Sequence, residues 1–555
     1  MLFGKGFKKM TLGEKIYILR NKMCLSQEEF AEALDVSRQS VSKWEMGQAL
    51  PQISKIPEIC SFLGISADEL INDEIIITST STDVPLPLPK PQNNNKYFGT
   101  DGFRGEVNTV LSPMHAFKVG RFLGWYYADK LSGCRMQNHI PKIVIGKDTR
   151  RSSYMLEYAI AAGITASGAD AYMLHVTTTP SVSFITKQDG FDCGIMISAS
   201  HNPYYDNGIK VLNKFGEKLD DRTTSLIEAY IDSDFAPLGI DSDDLPLAKR
   251  NRIGEIVDYV AGRNRYVGYL ISIARHSYKK LRIGLDCANG ASWNIARNVF
   301  EALGAQTYVI GNTPNGYNIN DGVGSTKIEA LQKLVKEHKL DAGFAFDGDA
   351  DRCIAVDERG KVVTGDHIMY IFAKRLKEMG ILNDDTVVAT VMSNTGLINA
   401  LEKENIKCVQ TAVGDRFVYE CMQDNDYTLG GEASGHIILR KYATTGDGLL
   451  TAIILTEEMM ERKAALSNLA EPVVLYPQYL RNIRVSDNSA VVRDKDVLSA
   501  VETVKEKIGS CGRVLLRKSG TEPLVRIMIE YKDENKLSEF ADIIADVIKE
   551  KGYES

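Results

Sequence analysis

Three aspartates, Asp347, Asp349 and Asp351, alternate in one short loop. Apolar segments with the pattern of buried strands, Ala342 to Phe346 and Cys353 to Val356, lie on either side of the loop. Carboxylates spaced in this way repel one another unless a cation neutralises them, and hard oxygen ligands suit Mg²⁺ or Ca²⁺. The loop therefore predicts a divalent metal site. Because Mg²⁺ takes few protein ligands and favours phosphate, the site also indicates a phosphorylated substrate or enzyme group.

A serine, a histidine and a lysine mark a second polar segment. Ser200 and His201 follow the strand-like run Gly194 to Ile197, and Lys210 lies further along. A serine beside a base at the end of a buried strand can act as a covalent nucleophile. The same residues are also typical of a turn in which Ser, Asn and Pro serve only the backbone geometry. The residues alone leave both interpretations open.

Two further segments combine arginine with glycine. Lys96–Gly105 holds three glycines and Arg104, a forked cation that suits a phosphate. The segment from Arg517 to Pro523 has the donors of a phosphate cradle. The donors within the segment are Arg517, Ser519, Gly520 and Thr521, and Arg526 lies just beyond it. The alternatives are an Arg104 paired with a structural carboxylate and a solvated basic turn at the second segment.

Strand and helix patterns alternate along the part of the chain that must position these segments. Lys142 to Ile145 and Arg282 to Leu285 have the pattern of buried strands, and Ile328 to Leu340 has that of a helix. The first of these strands leads into the polar loop Asp148-Thr149-Arg150. Such alternation is typical of α/β layers, in which ligands bind at the carboxyl ends of strands.

Composition limits the class of protein. A chain of 555 residues with 44% hydrophobic and 25% charged residues is expected to fold into several domains. No apolar run approaches the roughly 18 residues that span a bilayer, so we expect a cytoplasmic protein without a membrane partner. The nine scattered cysteines form no Cys-x-x-Cys pair, which argues against disulfide frameworks and cysteine zinc sites. A net charge of −7 restricts any DNA contact to a local module.

Two short helices that meet at a tight turn are predicted near the N-terminus. Ser37 is placed to cap the second helix, and Val41 and Trp44 supply its buried face before Gly47 ends it. The pattern resembles the all-α helix-turn-helix domain of phage repressors of the Cro and C1 type over residues 10–71. In that motif the second helix enters the major groove. The expected DNA-binding residues are Gln27, Arg38, Gln39, Ser42 and Lys43.

The charge of this module is balanced, with nine Lys/Arg and nine Asp/Glu in residues 1–71. A small helical bundle that contacts protein is therefore the alternative, although DNA binding needs only one positive face. Residues 72–95 follow, rich in Pro, Ser, Thr and Asn and typical of an extended linker. We expect the linker to let the two parts act independently, and tight DNA binding to require a homodimer.

In their order along the chain, the polar segments resemble those of the α-D-phosphohexomutase family from about Lys96 to the C-terminus. The matching family motifs are the phosphoserine loop (Ser200–Pro203), the metal loop (Asp347–Arg352), the sugar loop (Gly431–His436) and the phosphate loop (Arg517–Pro523). The resemblance implies three similar α/β domains and a smaller α+β C-terminal domain. The expected bounds are 96–262 for domain I, 263–361 for domain II, 362–478 for domain III and 479–555 for domain IV.

The resemblance also implies an enzyme, an isomerase that works by intramolecular phosphotransfer. Phosphorylated Ser200 would exchange its phosphoryl group with a hexose phosphate through a hexose 1,6-bisphosphate. The phosphate on Ser200 would join the three aspartates around Mg²⁺, and Arg104 or Lys210 would act as general acid/base near His201. The substrate-binding residues that the resemblance implies are Arg352, Glu432, Ser434, His436, Arg517, Ser519, Gly520, Thr521 and Arg526.

Within the family, residues 98–105, 413–416 and 444–448 look most like those of bacterial phosphoglucosamine mutases, which interconvert glucosamine 6-phosphate and glucosamine 1-phosphate. Ala433 departs from the longer polar residue that these enzymes more often carry. Phosphomannomutase/phosphoglucomutase activity is therefore one alternative. A sugar-phosphate-sensing transcription regulator with an inactive mutase body is another. It is disfavoured because a sensor needs no combination of Ser200, a metal loop and a phosphate loop.

Overall fold

The computed structural model divides the chain into two compact units, Met1–Tyr266 with Asn315–Asn318, and Val267–Pro314 with Ile319–Ser555. The residues that the structure describes are 11–22, 25, 27–34, 36–45, 47, 49–63, 65–72, 96–99, 101–132, 140–238, 244–509, 512–518 and 524–554. Apart from Asn72, the predicted linker lies outside these ranges. No helix in the described part of the chain is long and apolar enough to cross a membrane.

Short helices form the N-terminal module of the first unit. They are α1 (Leu12–Lys22), α2 (Gln27–Ala33), α3 (Arg38–Glu45), α4 (Ile56–Leu63) and α5 (Ala67–Ile71). Ser37 caps α3 as predicted, because its Oγ accepts the backbone N–H of Ser40 at 3.1 Å. Phe30, Val41 and Trp44 are buried in the module's core, so α2 and α3 are the predicted helix pair.

The module contacts the α/β part of the same unit. The Tyr17 hydroxyl accepts a hydrogen bond from the Arg222 guanidinium, which lies 5.8 Å from the centroid of the Tyr17 ring. Burial raises the pKa of Tyr17, although the charges of Arg222 and Arg20 oppose the rise. The module therefore packs on the α/β part through at least this pair.

A mixed sheet forms the centre of the first α/β domain. Its strands are β1 (Phe98–Gly99), β2 (Gly102–Glu106), β3 (Lys142–Lys147), β4 (Asp170–Val176), β5 (Cys193–Ile197), β6 (Asp206–Asn213) and β7 (Ile256–Asp258). Its helices are α6 (Pro113–Ser132), α7 (Arg151–Ala166), α8 (Thr179–Gln188) and α9 (Asp221–Ile231). Helix α10 (Val260–Ile273) follows and includes the boundary between the two units at Tyr266. The strand order is β1-β2-β6-β5-β3-β4-β7. β5 is buried along its whole length, as expected of a strand covered on both faces, and its carboxyl end leads to Ser200.

A second sheet lies in the other unit, in the order β12-β11-β10-β8-β9. Its strands are β8 (Arg282–Asp286), β9 (Gln306–Ile310), β10 (Ala342–Phe346), β11 (Cys353–Asp357) and β12 (Val362–Val363), with helices α11 (Ile295–Ala302) and α12 (Glu329–His338). The antiparallel pair β10 and β11 holds the metal loop between its strands. β12 pairs with β11 although it lies beyond residue 361, the predicted end of domain II.

The last two sheets follow in chain order within the same unit. The third has the order β14-β13-β15-β16 and the fourth β17-β19-β18. Their strands are β13 (Thr386–Thr390), β14 (Lys407–Thr411), β15 (Leu429–Gly431), β16 (Ile437–Leu439), β17 (Gln478–Arg484), β18 (Gly512–Lys518) and β19 (Leu524–Tyr531). The helices are α13 (Gly365–Glu378), α14 (Thr395–Lys403), α15 (Asp415–Asp424), α16 (Gly448–Arg462), α17 (Leu466–Ala470), α18 (Asn488–Val491), α19 (Lys495–Ile508) and α20 (Leu537–Glu550). The predicted series of α/β layers with an α+β end is confirmed.

Candidate active site

Ser200 lies directly beyond β5 in a buried and constrained position. Its side chain is covered, and its φ of +52° falls in the left-handed region that residues other than glycine rarely adopt. The Oγ atom lies 3.4 Å from Nδ1 of His201. The predicted pair of serine and histidine is therefore in contact, in a loop whose backbone holds an unusual conformation.

Arg104 and Lys210 lie on the neighbouring strands β2 and β6. Both contact Asp101: the Lys210 Nζ is 3.3 Å from its Oδ2, and the Arg104 guanidinium donates to the same oxygen. Lys218 Nζ donates to the other oxygen at 2.8 Å. Asp101 thus holds three cations together near the strand that follows Ser200. Arg104 is therefore also paired with a carboxylate, which is the alternative interpretation of this residue.

Asp101 is a site residue that neither its type nor its spacing identifies in the sequence. The available signal is its position in the glycine-rich segment that also holds Arg104. At Gly102, with φ +86°, a Cβ atom would lie 2.5 Å from the carbonyl oxygen of Ile209. This close approach explains why glycine sits next to Asp101 and brings the carboxylate against β6.

The three predicted metal ligands converge. Asp347, Asp349 and Asp351 are all buried, and one carboxylate oxygen from each lies within 4.8 Å of the others. A tight turn produces this arrangement, with Ala350 at φ +56° and its N–H donating to the Asp347 carbonyl at 3.1 Å. Three buried carboxylates so close together repel one another, and their hard oxygens match the preference of a divalent cation. The donor set fits such an ion.

The sugar loop packs directly against the strand that leaves the metal loop. The N–H of Cys353 donates to the Gly435 carbonyl at 3.0 Å. A Cβ atom on Gly435, whose φ is +91°, would lie 2.3 Å from the Cys353 carbonyl oxygen, so only glycine fits. As a result Nδ1 of His436 lies 3.7 Å from Oδ1 of Asp351. The structure therefore brings the predicted sugar-binding and metal-binding residues together.

Glu432 and Ser434 project from the same loop. Oε1 of Glu432 accepts the Gly414 N–H at 3.0 Å, and Ser434 Oγ donates to Oε2 at 3.4 Å. Gly414 immediately precedes α15, which begins at Asp415. Asp415 Oδ2 lies 3.5 Å from Nε2 of His436. The Gly414-Asp415 turn is therefore part of this site, although its residues show only a likeness to the family and no chemistry of their own.

His436 has a perturbed proton affinity. Burial alone would lower its pKa, but the hydrogen bond and charge of Asp351, followed by the charges of Asp415 and Glu432, raise it to about 8. In the neutral imidazole, Nε2 of His436 accepts the Gly446 N–H at 3.0 Å. Protonation of Nε2 breaks this hydrogen bond. The imidazole is thus set between three carboxylates and a backbone donor.

The basic residues assigned to phosphate and substrate binding lie at two places in the second unit. Arg517 and Arg526 are directly opposite each other on β18 and β19. Burial, and then the charge of Arg526, lower the pKa of Arg517. Two facing guanidinium groups favour an anion between them. Arg352, in the metal loop, donates its backbone N–H to Asp347 Oδ1 at 3.2 Å.

Some predicted site residues cannot be placed together. Ser519, Gly520 and Thr521 lie outside the described residues. Ser200 belongs to the first compact unit and the metal loop to the second, so the role of Ser200 as a further metal ligand stays a prediction.

In the helix-turn-helix module, the side chains of Arg38 and Gln39 are not among those described. Lys43 is exposed and Ser42 is half-buried on α3. The Gln27 amide donates to Oε2 of Glu45 at 2.7 Å, and Glu45 also pairs with Arg20. This internal bond occupies Gln27 in the structure, and its contact with DNA stays a prediction.

Comparison with known domain families agrees with the order of these sites. Four families described as phosphoglucomutase/phosphomannomutase match: alpha/beta/alpha domain I at residues 95–237, domain II at 264–360, domain III at 364–476 and the C-terminal domain at 480–547. A helix-turn-helix family matches residues 16–70. The N-terminal module thus lies outside the ranges that the other four families match.

Individual relatives cover the same large part of the chain. A phosphoglucosamine mutase of Lachnospira eligens is 56% identical over 82% of this chain and 99% of its own length. That of Bacillus subtilis is 47% identical over 83% of this chain and its full length. A crystal structure of a phosphoglucomutase/phosphomannomutase family protein from Burkholderia thailandensis has a TM-score of 0.65 at 21% identity, covering 82% of this chain and 97% of that one. At 21% identity, the likeness to the Burkholderia thailandensis structure shows a shared fold alone.

Proposed function

Because the chain belongs to the phosphoglucomutase/phosphomannomutase family, we propose that it interconverts glucosamine 6-phosphate and glucosamine 1-phosphate and carries a DNA-binding module. One observation carries the catalytic proposal: the buried aspartate triad contacts the sugar loop through Asp351 and His436. A cation, a phosphate and a sugar need such adjacent sites in phosphoryl transfer. The relatives named phosphoglucosamine mutase support the choice of sugar.

Each side chain has a definite task in the proposed reaction. The bond between Ser200 Oγ and phosphorus breaks as a sugar hydroxyl oxygen bonds to phosphorus, giving a hexose 1,6-bisphosphate. The neutral amine of Lys210 accepts the hydroxyl proton, since a guanidinium stays charged, and the ammonium so formed then protonates the Ser200 Oγ that leaves phosphorus. Arg104 contacts the phosphoryl oxygens. The other phosphate returns to Ser200 after the bisphosphate turns over, so one serine serves both halves of the reaction.

The second unit holds the substrate and the cation in this proposal. Asp347, Asp349 and Asp351 hold Mg²⁺, which when bound neutralises charge on the transferring phosphoryl group. Glu432 accepts hydrogen bonds from the sugar hydroxyls, and Ser434 donates a hydrogen bond to them. The phosphate loop, with Arg517 at its start and Arg526 opposite, binds the phosphate that does not react.

The choice of sugar gives a testable expectation. We expect kcat/KM for glucosamine 1-phosphate formation to exceed the values for glucose 1-phosphate and mannose 1-phosphate formation. Coupled assays with the three hexose 6-phosphates, at equal Mg²⁺ and activating bisphosphate, measure this. Ala433→Gln introduces a longer polar side chain in the sugar loop, and its kcat/KM values for the three sugars are compared with those of the wild type. A clear preference for glucose or mannose phosphate would reassign the substrate to the phosphomannomutase/phosphoglucomutase alternative.

The helix-turn-helix module is proposed to bind DNA through α3. One small module that is not strongly basic binds weakly, so tight binding requires a homodimer on two half-sites about 34–36 Å apart. No residue proposed for catalysis lies in the module. A chain that lacks residues 1–95 is therefore expected to retain mutase activity and to lose DNA binding, even though Tyr17 contacts Arg222.

Matched lysine variants test the DNA proposal. Lys43→Ala is expected to weaken retention of genomic fragments and to lower the slope of log affinity against log salt by about one unit, the loss of one phosphate contact. Lys55→Ala removes the same charge, but Lys55 Nζ is bound to the Leu34 carbonyl and Glu58, and the slope should not change. If no DNA were retained even at low salt, the module would be a protein-contact domain.

A further inference from the structure

A buried arginine outside the sites described above grips the loop that carries Ser200. Arg150 lies in the polar loop after β3 and is fully buried. Its Nη2 donates to the carbonyls of Ser200 and Asn202, both at 2.9 Å. Its Nη1 donates to the Asp206 carbonyl at 3.2 Å and to the Pro203 carbonyl. One guanidinium therefore holds four backbone carbonyls of residues 200–206.

Asp148 fixes Arg150 and holds the other side of the same loop. Its Oδ2 accepts Nε of Arg150 at 2.8 Å and Oγ of Ser198 at 2.7 Å. Ser198 Oγ in turn accepts the N–H of Ser200 at 3.0 Å. The Oδ1 atom of Asp148 accepts the Arg150 backbone N–H at 2.9 Å and the Ser153 hydroxyl at 2.7 Å. The pair thus controls both the N–H and the carbonyl of Ser200.

This grip acts on a residue in an unfavourable backbone conformation. Ser200 has φ +52°, a region in which a Cβ atom crowds the backbone, so the conformation persists only where its surroundings impose it. In the structure the imposed contacts come from Arg150 directly and from Asp148 through Ser198. If the loop relaxed, the direction of Ser200 Oγ would change.

We propose that Arg150 is a positioning residue for phosphoryl transfer, which keeps Ser200 Oγ in one direction while the serine is loaded and while it donates. The inference rests on the proposed function, because it needs Ser200 to carry the phosphoryl group. Arg150 acts through the backbone of the loop, and it need not touch the substrate. A planar guanidinium with five donors meets four carbonyls and Asp148 at once, whereas a lysine ammonium has three donors.

The chain offers a matched control for this inference. Arg121 is also buried, at 1% exposure, and lies in the same unit. Its guanidinium donates to the Leu245 carbonyl at 2.5 Å, the Pro246 carbonyl at 3.3 Å and Ser167 Oγ at 2.8 Å. It therefore makes the same kind of structural bonds as Arg150 but binds other segments. Arg→Lys at each position separates loss of packing from loss of positioning.

The experiment compares Arg150→Lys and Arg121→Lys in the full chain. We expect Arg150→Lys to lower kcat about 100-fold, the effect of misplacing a reacting group by an ångström, with KM within about threefold. Transfer of phosphate to Ser200 from a hexose 1,6-bisphosphate, followed by mass spectrometry, should slow to the same degree. Arg121→Lys should keep kcat within about twofold at a comparable loss of thermal stability. A kcat for Arg150→Lys within threefold of the Arg121→Lys value would overturn the inference.

Ser198→Ala provides a second test, which also applies if Arg150→Lys does not fold. It removes only the link from Asp148 to the Ser200 N–H, so we expect a fall in kcat of about tenfold without a change in KM. An unchanged kcat would count against positioning by this network. Wild-type protein without mutase activity and without phosphate on Ser200 would overturn the proposed function as well. An active wild type with an equally active Arg150→Lys would overturn the inference alone.

Discussion

Ser200→Ala is expected to abolish mutase turnover, with a fall in kcat on the order of 10⁶-fold, because the hydroxyl is the proposed carrier of the phosphoryl group. Mass spectrometry of the wild-type protein should find phosphate on Ser200, and the variant should not be labelled by a hexose bisphosphate. The fold should survive, since the loop is held mainly through backbone groups bound to Arg150 and Ser198. We expect the melting temperature to change by less than about 4 °C.

Ser183→Ala is the matched control for this experiment. Ser183 is also buried in the first unit, and its hydroxyl donates to the Gly216 carbonyl at 2.6 Å. Its loss should reduce stability while kcat stays within about twofold of the wild type. Recovery of the phosphate label on another residue in Ser200→Ala protein would show that the proposed carrier is wrong.

Asp349→Ala is expected to remove Mg²⁺-dependent activity, with a loss of about 10³-fold or more. The two remaining carboxylates supply too few ligands to hold the cation in place. Isothermal titration with Mg²⁺, and kinetics over a range of Mg²⁺ concentrations, measure the loss of binding and of activity separately. Removal of the buried negative charge should also relieve the repulsion within the triad, so the variant is expected to be at least as resistant to heat as the metal-free wild type.

Asp357→Asn tests whether the loss of any buried aspartate of the β10–β11 hairpin would have this effect. Asp357 lies at the far end of β11, where its Oδ1 accepts the N–H groups of Arg359 and Lys361 at 2.9 and 2.7 Å. The variant should be less stable and should keep its response to Mg²⁺. Full wild-type activity in excess chelator would contradict the metal proposal for Asp349.

Local chemistry could be predicted where residue types and spacing carry it. The alternating Asp347, Asp349 and Asp351 predict a metal site because mutual repulsion needs a cation, and the structure confirms that they converge. Ser37 predicts the start of α3 because a hydroxyl at that position accepts a backbone N–H of the first turn. These inferences succeed because the interacting groups are close in the chain.

Other contacts depend on strands and loops that are distant in the chain, and the sequence carries little sign of them. Asp101 gathers Lys210 and Lys218 only because β2 pairs with β6. The contact of Tyr17 with Arg222 joins residues more than two hundred positions apart. The composition of the linker between them does not indicate that the two residues meet. The sequence predicts that linker and an independent module, and it contains no pattern that identifies the surface on which the module packs.

The order of the polar loops, the acidic triad, the serine and the helix-turn-helix can be read from the chain, because each depends on local spacing and residue type. The contacts of Arg150 with the Ser200 loop and of His436 with Asp351 exist only in the folded protein. A buried cation or imidazole takes its role from the groups that the fold places around it. In this chain those groups come from other strands and loops, and no local pattern of residues specifies them.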